Sequence, residues 1–397
     1  MSSLIKKPSI WVALLLLWAG HFLVDVMFGI WPVFKSMAKV DLATAGIIVA
    51  GGSFVGEGSQ LFFGIFSDRG YRKQILIFGV LIATSAAFLI YFSHYGAFFG
   101  LYLLTCIGSG AFHPSAAGLV NSLNPYRRGL FMTIFASGGS LGLAFSQILF
   151  IHMNDSFPGH SYWLALPALV LGFVLLFYHF PISPITNETS HQVKMSDFIT
   201  FFKRSDLRSL YISLVTNQIL LWGTIFILPD VLKTHGHTDW ICMGGGHLCL
   251  ILGGTIMMIP AGYLADKFSA RSVMYYATGL AGIAFYIIIF LGNYSQNLIL
   301  TSLFILGASL SIVHPIGVSL GARLVPDKPS TISAFLMGMV WCVSEVVGPG
   351  GVGWMSTFFT DSAPVKALAI LGSCFFINIY SVFSLPNTKR SIAEKTY

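Results

Sequence analysis

The chain of 397 residues is 55% hydrophobic and only 9% charged, with a mean hydropathy of +0.78. A soluble chain carries about a quarter charged residues, so a water-soluble globular protein is excluded. The net charge of +7 must therefore be read against a membrane before any nucleic acid is considered.

Apolar runs of about 20 residues, each able to cross a hydrocarbon core of about 30 Å, recur along the whole chain. Twelve spans are predicted. Six lie at 9–34, 42–66, 73–93, 97–122, 129–153 and 161–180, and six more at 207–232, 240–264, 272–292, 297–322, 330–358 and 365–385. The first follows Lys6 and Lys7, is too long for a signal peptide and lacks a small-residue cleavage site, so it is expected to stay. Residues 181–206 form the only long polar connection. The expected organisation is an N-terminal six-helix bundle (1–180), a cytoplasmic linker (181–206) and a C-terminal six-helix bundle (207–397), an all-α membrane protein.

Of the 22 lysines and arginines, Lys35, Lys39, Lys233 and Lys366 fall on one side of this arrangement, and the other eighteen fall on the side of the termini. That bias predicts cytoplasmic termini and accounts for the positive balance without a nucleic-acid partner. The five cysteines, all inside predicted spans, read as reduced and structural.

Two elements recur at half the chain length. GIFSDRGYRK at 64–73 is matched by GYLADKFSAR at 262–271, and the pair His113-Pro114 by His314-Pro315. Equivalent elements at equivalent places indicate a duplicated six-helix unit.

Every lysine and arginine is assigned to a loop, a tail or a span end. The interior ionisable residues are then His21, Asp25, Glu57, His113, His314 and Glu345, with Asp230 near the outer end of span seven. An ionised carboxylate at the bilayer centre costs at least about 2.5 kcal/mol and marks a functional site by default. With no fixed cation beside them, these acids are expected to exchange protons. His21, Asp25, Glu57 and Glu345 are the candidate proton-coupling residues. His21 and Asp25 lie four apart on one helix face, which also suits a buried pair that merely fixes span one.

Pro114 and Pro315 free the carbonyls of Gly110 and Ser311. His113 and His314 thus stand equally as substrate contacts or as supports of a kink. Gln147, Asn217 and Gln218 are candidate hydrogen-bonding groups of a substrate cavity, with Trp222 and Trp341 as walls. His235, His237, Asp239 and His247 have no compact metal-ligand spacing, and no metal site is expected. There is no G-x-x-x-x-G-K-[ST] sequence and no nucleophile-base constellation, so neither an enzyme nor a cofactor is expected.

The repeated loop pattern resembles the signature of the major facilitator superfamily. The resemblance implies two pseudo-symmetric bundles that rock around a central site, with Gly64, Asp68, Arg72, Gly262, Asp266 and Arg271 serving cytoplasmic gates. The glycines are expected to let helices approach closely. Within that superfamily, GHFLVDVMFGIWPVFK at 20–35, GSGAFHPSAAG at 108–118, ASGGSLG at 136–142 and SLPNTKR at 384–390 are similar to the fosmidomycin-resistance family of bacterial exporters. This implies proton-driven export across the inner membrane. The chain departs from that family's pattern at Ser115 and Gly118, where an acid and an arginine are usual, and at Ala136, Ser140 and Gln147. Glu57 and Glu345 are additional acids.

The expected function is secondary active transport, a small molecule exchanged against protons by a monomer in a lipid bilayer. Proton-coupled uptake of a nutrient or metal chelate is the alternative, and a receptor or sensor on the same scaffold is a third. A cavity without fixed positive charge favours cationic, zwitterionic or neutral cargo over phosphate esters.

Overall fold

A computed structural model describes residues 9–124, 127–181, 195–326, 332 and 335–387, and the regular structure among them is helical throughout. In chain order the helices are α1 Ile10–Met37, α2 Leu42–Phe66, α3 Arg69–Tyr91, α4 Tyr95–Leu123, α5 Arg128–Ser156 and α6 Ser161–Phe177. A short α7, Met195–Lys203, precedes α8 Ser205–Thr234, α9 Ile241–Lys267, α10 Ala270–Leu291, α11 Gln296–Leu324, α12 Gly338–Ser356 and α13 Ala363–Phe383. Ten of these are long and apolar enough to cross a membrane, α6 is a shorter apolar helix, and α12 stands where the eleventh span is expected.

Two boundaries differ instructively from expectation. Helix α1 bends at Gly29 and Ile30 and continues to Met37, so Lys35 lies in helix and not in a loop. Helix α9 begins with a kink at Gly244, whose φ of +133° lies where side chains with a Cβ are strained.

The chain divides into two compact units. One comprises residues 1–34 and 51–191, the other residues 35–50 and 192–397.

In the first unit, Leu17 and Val24 of α1, Val80 of α3, Phe112 and Leu119 of α4, Phe135 of α5 and Leu171 of α6 share one buried core. Lipid is as apolar as these side chains, so close packing has to come from small residues that let backbones approach. Gly56 of α2 sits against Cys106 of α4, where an added Cβ would come within 2.7 Å of the Cys106 Cβ. At Gly79 of α3 it would meet the backbone nitrogen of Phe112 at 2.7 Å. Helix α5 approaches α1 through Gly138, Gly139 and Gly142, whose neighbours are Trp18, His21, Phe22 and Asp25. The ASGGSLG stretch is thus a surface against which α1 lies flat.

In the second unit, α8 is central, with most of its apolar length buried. Gly253 of α9 and Gly307 of α11 each face the other helix's backbone, and Gly223 of α8 and Gly348 of α12 do the same for their helices. Gly46, at the start of α2, would bring a Cβ within 2.8 Å of the Pro349 carbonyl of α12. Residues 35–50 are therefore packed as an integral part of this unit.

Candidate functional site

His21 and Asp25 lie one turn apart on α1, and α4 brings His113 against them. The Nδ1 of His21 is 2.9 Å from the carbonyl of Phe135, and the Nδ1 of His113 is 2.9 Å from the carbonyl of Ser109, with the Ser109 hydroxyl at 3.1 Å. A carbonyl only accepts, so each imidazole carries its hydrogen on Nδ1 and turns the lone pair of Nε2 the other way. The two Nε2 atoms face one another at 3.1 Å. Asp25 completes the group, with one oxygen 3.5 Å from the Nε2 of His21 and the other 3.6 Å from that of His113.

The local sequence builds this arrangement. Gly139 leaves room for it, since a Cβ there would run into the His21 ring and lie 2.6 Å from the Asp25 carboxylate. Phe135 stacks on His21 with ring centroids 4.3 Å apart. Trp18 donates to the Ser137 hydroxyl at 3.1 Å and ties α1 to α5 one turn away. Glu57 of α2 interacts electrostatically with both His113 and Asp25 and accepts a hydrogen bond from Gln60. Side-chain exposure rises from 10% at His21 to 18% at Asp25 and 23% at His113, so the group is enclosed on the His21 side and accessible from the other.

Three of the four expected proton-coupling residues thus meet in one place. The fourth, Glu345, is buried on α12 in the second unit. His113, expected as a substrate contact or as a support of the kink, stands beside His21 and Asp25.

Its repeat partner behaves differently. His314 hydrogen-bonds to the carbonyl of Leu336 at 3.0 Å and stacks on Trp341. The two His-Pro pairs therefore occupy equivalent sequence positions with unlike chemistry. Helices α4 and α11 both continue through their prolines.

Gln147 is almost wholly buried, and neither end of its amide finds a hydrogen-bond partner among the described residues. Asn217 is committed within the protein, donating to the Leu310 carbonyl at 2.9 Å and to the Gln218 side chain. Trp222 is partly buried on α8.

The expectation that lysines keep to loops and span ends is corrected by Lys35. It is fully enclosed, ion-pairs with Asp230 and lies 4.8 Å over the Phe226 ring, while the Ser36 hydroxyl donates to the other Asp230 oxygen at 2.9 Å. A lysine next to a predicted span end reads as solvated, so only the continuation of α1 past Gly29 reveals the pair.

The repeated loops also differ from expectation. A Cβ at Gly64 would meet only the Pro114 ring, at 3.9 Å, and one at Gly262 would meet nothing within 4 Å. Among the described residues, neither glycine is held by a close helix approach. The conformational requirement falls on Gly70, with φ +103°. Arg72 reaches the Ser67 hydroxyl at 3.3 Å and the Gly118 carbonyl at 3.5 Å, and a Cβ at 118 would come within 3.1 Å of its guanidinium. Arg72 thus fills the space beside position 118. Arg271 lies over the Phe383 ring at 5.0 Å, and Asp266 is exposed. The Asp68 side chain lies outside the described residues, as do most of the linker, residues 182–194, and the end of the SLPNTKR stretch.

Of the groups outside the spans, His237 bonds to the Gly292 carbonyl, and burial together with His237 lowers the pKa of His235. The rings of this pair are 6.5 Å apart.

Among solved structures the chain is similar to a variant of the nucleoside transporter NupG, at 13% identity and a TM-score of 0.77, covering 94% of this chain and 99% of that one. It is also similar to a bacterial homologue of the human lysosomal transporter Spinster. The inward-facing unoccupied form gives a TM-score of 0.73 at 16% identity, covering 96% and 95% of the two chains. The occupied form gives 0.74 at 15% identity, covering 94% of each. No curated protein matches the chain. The family model described as Major Facilitator Superfamily matches residues 10–349. With that match over most of its length and a fold shared along nearly its whole length with two transporters, the chain belongs to the Major Facilitator Superfamily.

Proposed function

We propose that this transporter couples a small molecule to protons and works in the direction of export. The observation behind this reading is the meeting of two imidazole lone pairs and a carboxylate in one enclosed group. With both Nδ1 hydrogens committed to carbonyls, the facing Nε2 atoms are both acceptors, and without a bridging cation they repel. One proton converts the contact into an N–H···N bond and gives Asp25 an opposite charge. Loading a proton draws α1 and α4 together, and releasing it loosens them. A conformational change follows from an occupant only when the occupant favours one arrangement, and here it does.

Glu57 adds a second carboxylate within electrostatic reach and is a further stop for the proton. Gln147, Gln218, Trp222 and Trp341 are the candidate cargo contacts, suited to cationic, zwitterionic or neutral compounds. Arg72 and Arg271 serve the cytoplasmic gates. The bias of basic residues supports an inner-membrane protein with both termini in the cytoplasm. The direction of transport rests on the N-terminal stretches similar to the fosmidomycin-resistance family.

The test uses everted membrane vesicles containing the protein and energised by respiration. A panel of cationic, zwitterionic and neutral compounds is added while a fluorescent amine reports the pH gradient. Export by proton exchange predicts that some compounds dissipate the gradient and accumulate inside, and that Asp25→Asn abolishes both effects. Compound movement indifferent to an uncoupler overturns proton coupling, and accumulation only in right-side-out vesicles reverses the direction.

A further inference from the structure

We propose that the His21–Asp25–His113 cluster is also a binding site for a divalent transition-metal ion of the zinc class, which competes with the proton for the same lone pairs. The inference rests on the reading above that this cluster is an exchangeable cation site.

The donor set is the first argument. Two imidazole nitrogens and one carboxylate oxygen, all within 4.8 Å of one another, are the ligands that zinc, nickel and cobalt prefer, whereas calcium and magnesium take oxygen alone.

The spacing is the second. Ligand atoms about 2.0–2.1 Å from a tetrahedral zinc are about 3.3 Å from each other. The two Nε2 atoms stand 3.1 Å apart, and each has a different oxygen of Asp25 near that edge length, Oδ2 at 3.5 Å from His21 and Oδ1 at 3.6 Å from His113. A small rotation of the Asp25 carboxylate would offer one oxygen to an ion shared with both rings.

The orientation of the rings is the third. Metal-binding histidines almost always give their other ring hydrogen to a carbonyl, carboxylate or water, which fixes the tautomer and aims the ligating nitrogen. Phe135 and Ser109 do this for His21 and His113. Both rings thus leave Nε2 unprotonated before any ion arrives.

Three protein ligands leave a fourth tetrahedral position open, the arrangement of an exchanging site and not of a closed structural one. Among the described residues, the titratable groups facing the site are the cluster's own three, from α1 and α4, and Glu57 from α2. The α5 surface opposite them is Gly139 and the Phe135 ring. Metal and proton cannot both occupy the Nε2 lone pairs, so binding weakens as pH falls and releases a proton from a loaded cluster.

The experiment titrates purified full-length protein in detergent with Co²⁺ alone and Zn²⁺ alone, with Mg²⁺ as the hard-cation control. Calorimetry gives the stoichiometry, and visible absorption reads Co²⁺ coordination. One ion per chain is expected, with a Co²⁺ spectrum that Zn²⁺ bleaches and no response to Mg²⁺. His21→Ala and His113→Ala should each weaken binding by upward of about 100-fold, since even orienting partners contribute 10–100-fold. The His235→Ala/His237→Ala double variant should bind as the parent does. Should the cluster variants not fold, bleaching at one site in the parent, lost at low pH but kept in the His235→Ala/His237→Ala variant, still supports the site. Absence of a Co²⁺ spectrum in folded parent protein, or affinity unchanged in both cluster variants, overturns it. The two readings separate cleanly. Proton-driven transport with no metal binding removes only the metal site, and metal binding without proton-driven transport removes only proton coupling.

Discussion

Lys35 and Asp230, 195 residues apart in the chain, form an ion pair in which the lysine has no exposure at all and the carboxylate side chain retains 21%. Breaking one half of such a pair leaves an uncompensated charge and destabilises more than removing both halves. Lys35→Met should lower stability by about 3 kcal/mol or somewhat less, given the partial exposure of Asp230. The Lys35→Met/Asp230→Leu double variant should recover most of that loss. Thermal unfolding in detergent measures both, and a double variant no more stable than the single one would show that the pair does not act as a unit.

Asp25→Asn and Glu57→Gln imitate the protonated acids at nearly unchanged volume. If these groups carry protons, each variant should keep substrate exchange across the membrane and lose accumulation driven by a pH gradient. Counterflow and gradient-driven uptake in proteoliposomes separate the two activities. Loss of exchange with coupling intact would instead make the residue a cargo contact.

The two His-Pro pairs should respond oppositely to the same change. His113→Gln removes an Nε2 that faces His21 and Asp25 and should abolish coupling. His314→Gln loses a bond to the Leu336 carbonyl and a stacking contact with Trp341. It should lower stability by about 1–2 kcal/mol while pH-driven transport persists. Equal loss of coupling in both would mean that the halves use their histidines alike.

Glycine substitutions separate the packing positions from the merely recurrent ones. Gly139→Ala forces a methyl group into His21 and Asp25 and should reduce stability by about 1–3 kcal/mol along with coupling. Gly64→Ala and Gly262→Ala meet nothing closer than 3.9 Å and gain up to about 1 kcal/mol in helix propensity. Both should fold at least as well as the parent, as read by thermal unfolding. Unfolding of either would show that the repeated glycine packs closely after all.

Much of this protein is legible in its sequence, because a bilayer constrains a chain one segment at a time. Each crossing needs its own run of about 20 apolar residues and its own internally satisfied backbone. The succession of apolar helices and the repeat of 64–73 at 262–271 therefore stand in plain view, as does the closeness of His21 and Asp25, which are neighbours on one turn. What lies between helices does not. His113 joins His21 because Gly139 and its neighbours seat α1 on α5 while Gly56 and Gly79 seat α2 and α3 on α4, and no single segment records those contacts. Lys35 meets Asp230 because α1 continues past Gly29. His113 and His314 each precede a proline, and only their neighbours set one against His21 and Asp25 and the other against the Leu336 carbonyl. A residue's chemistry in a membrane depends on which polar atoms surround it, and those are set by helix packing, over distances in sequence that local pattern does not reach.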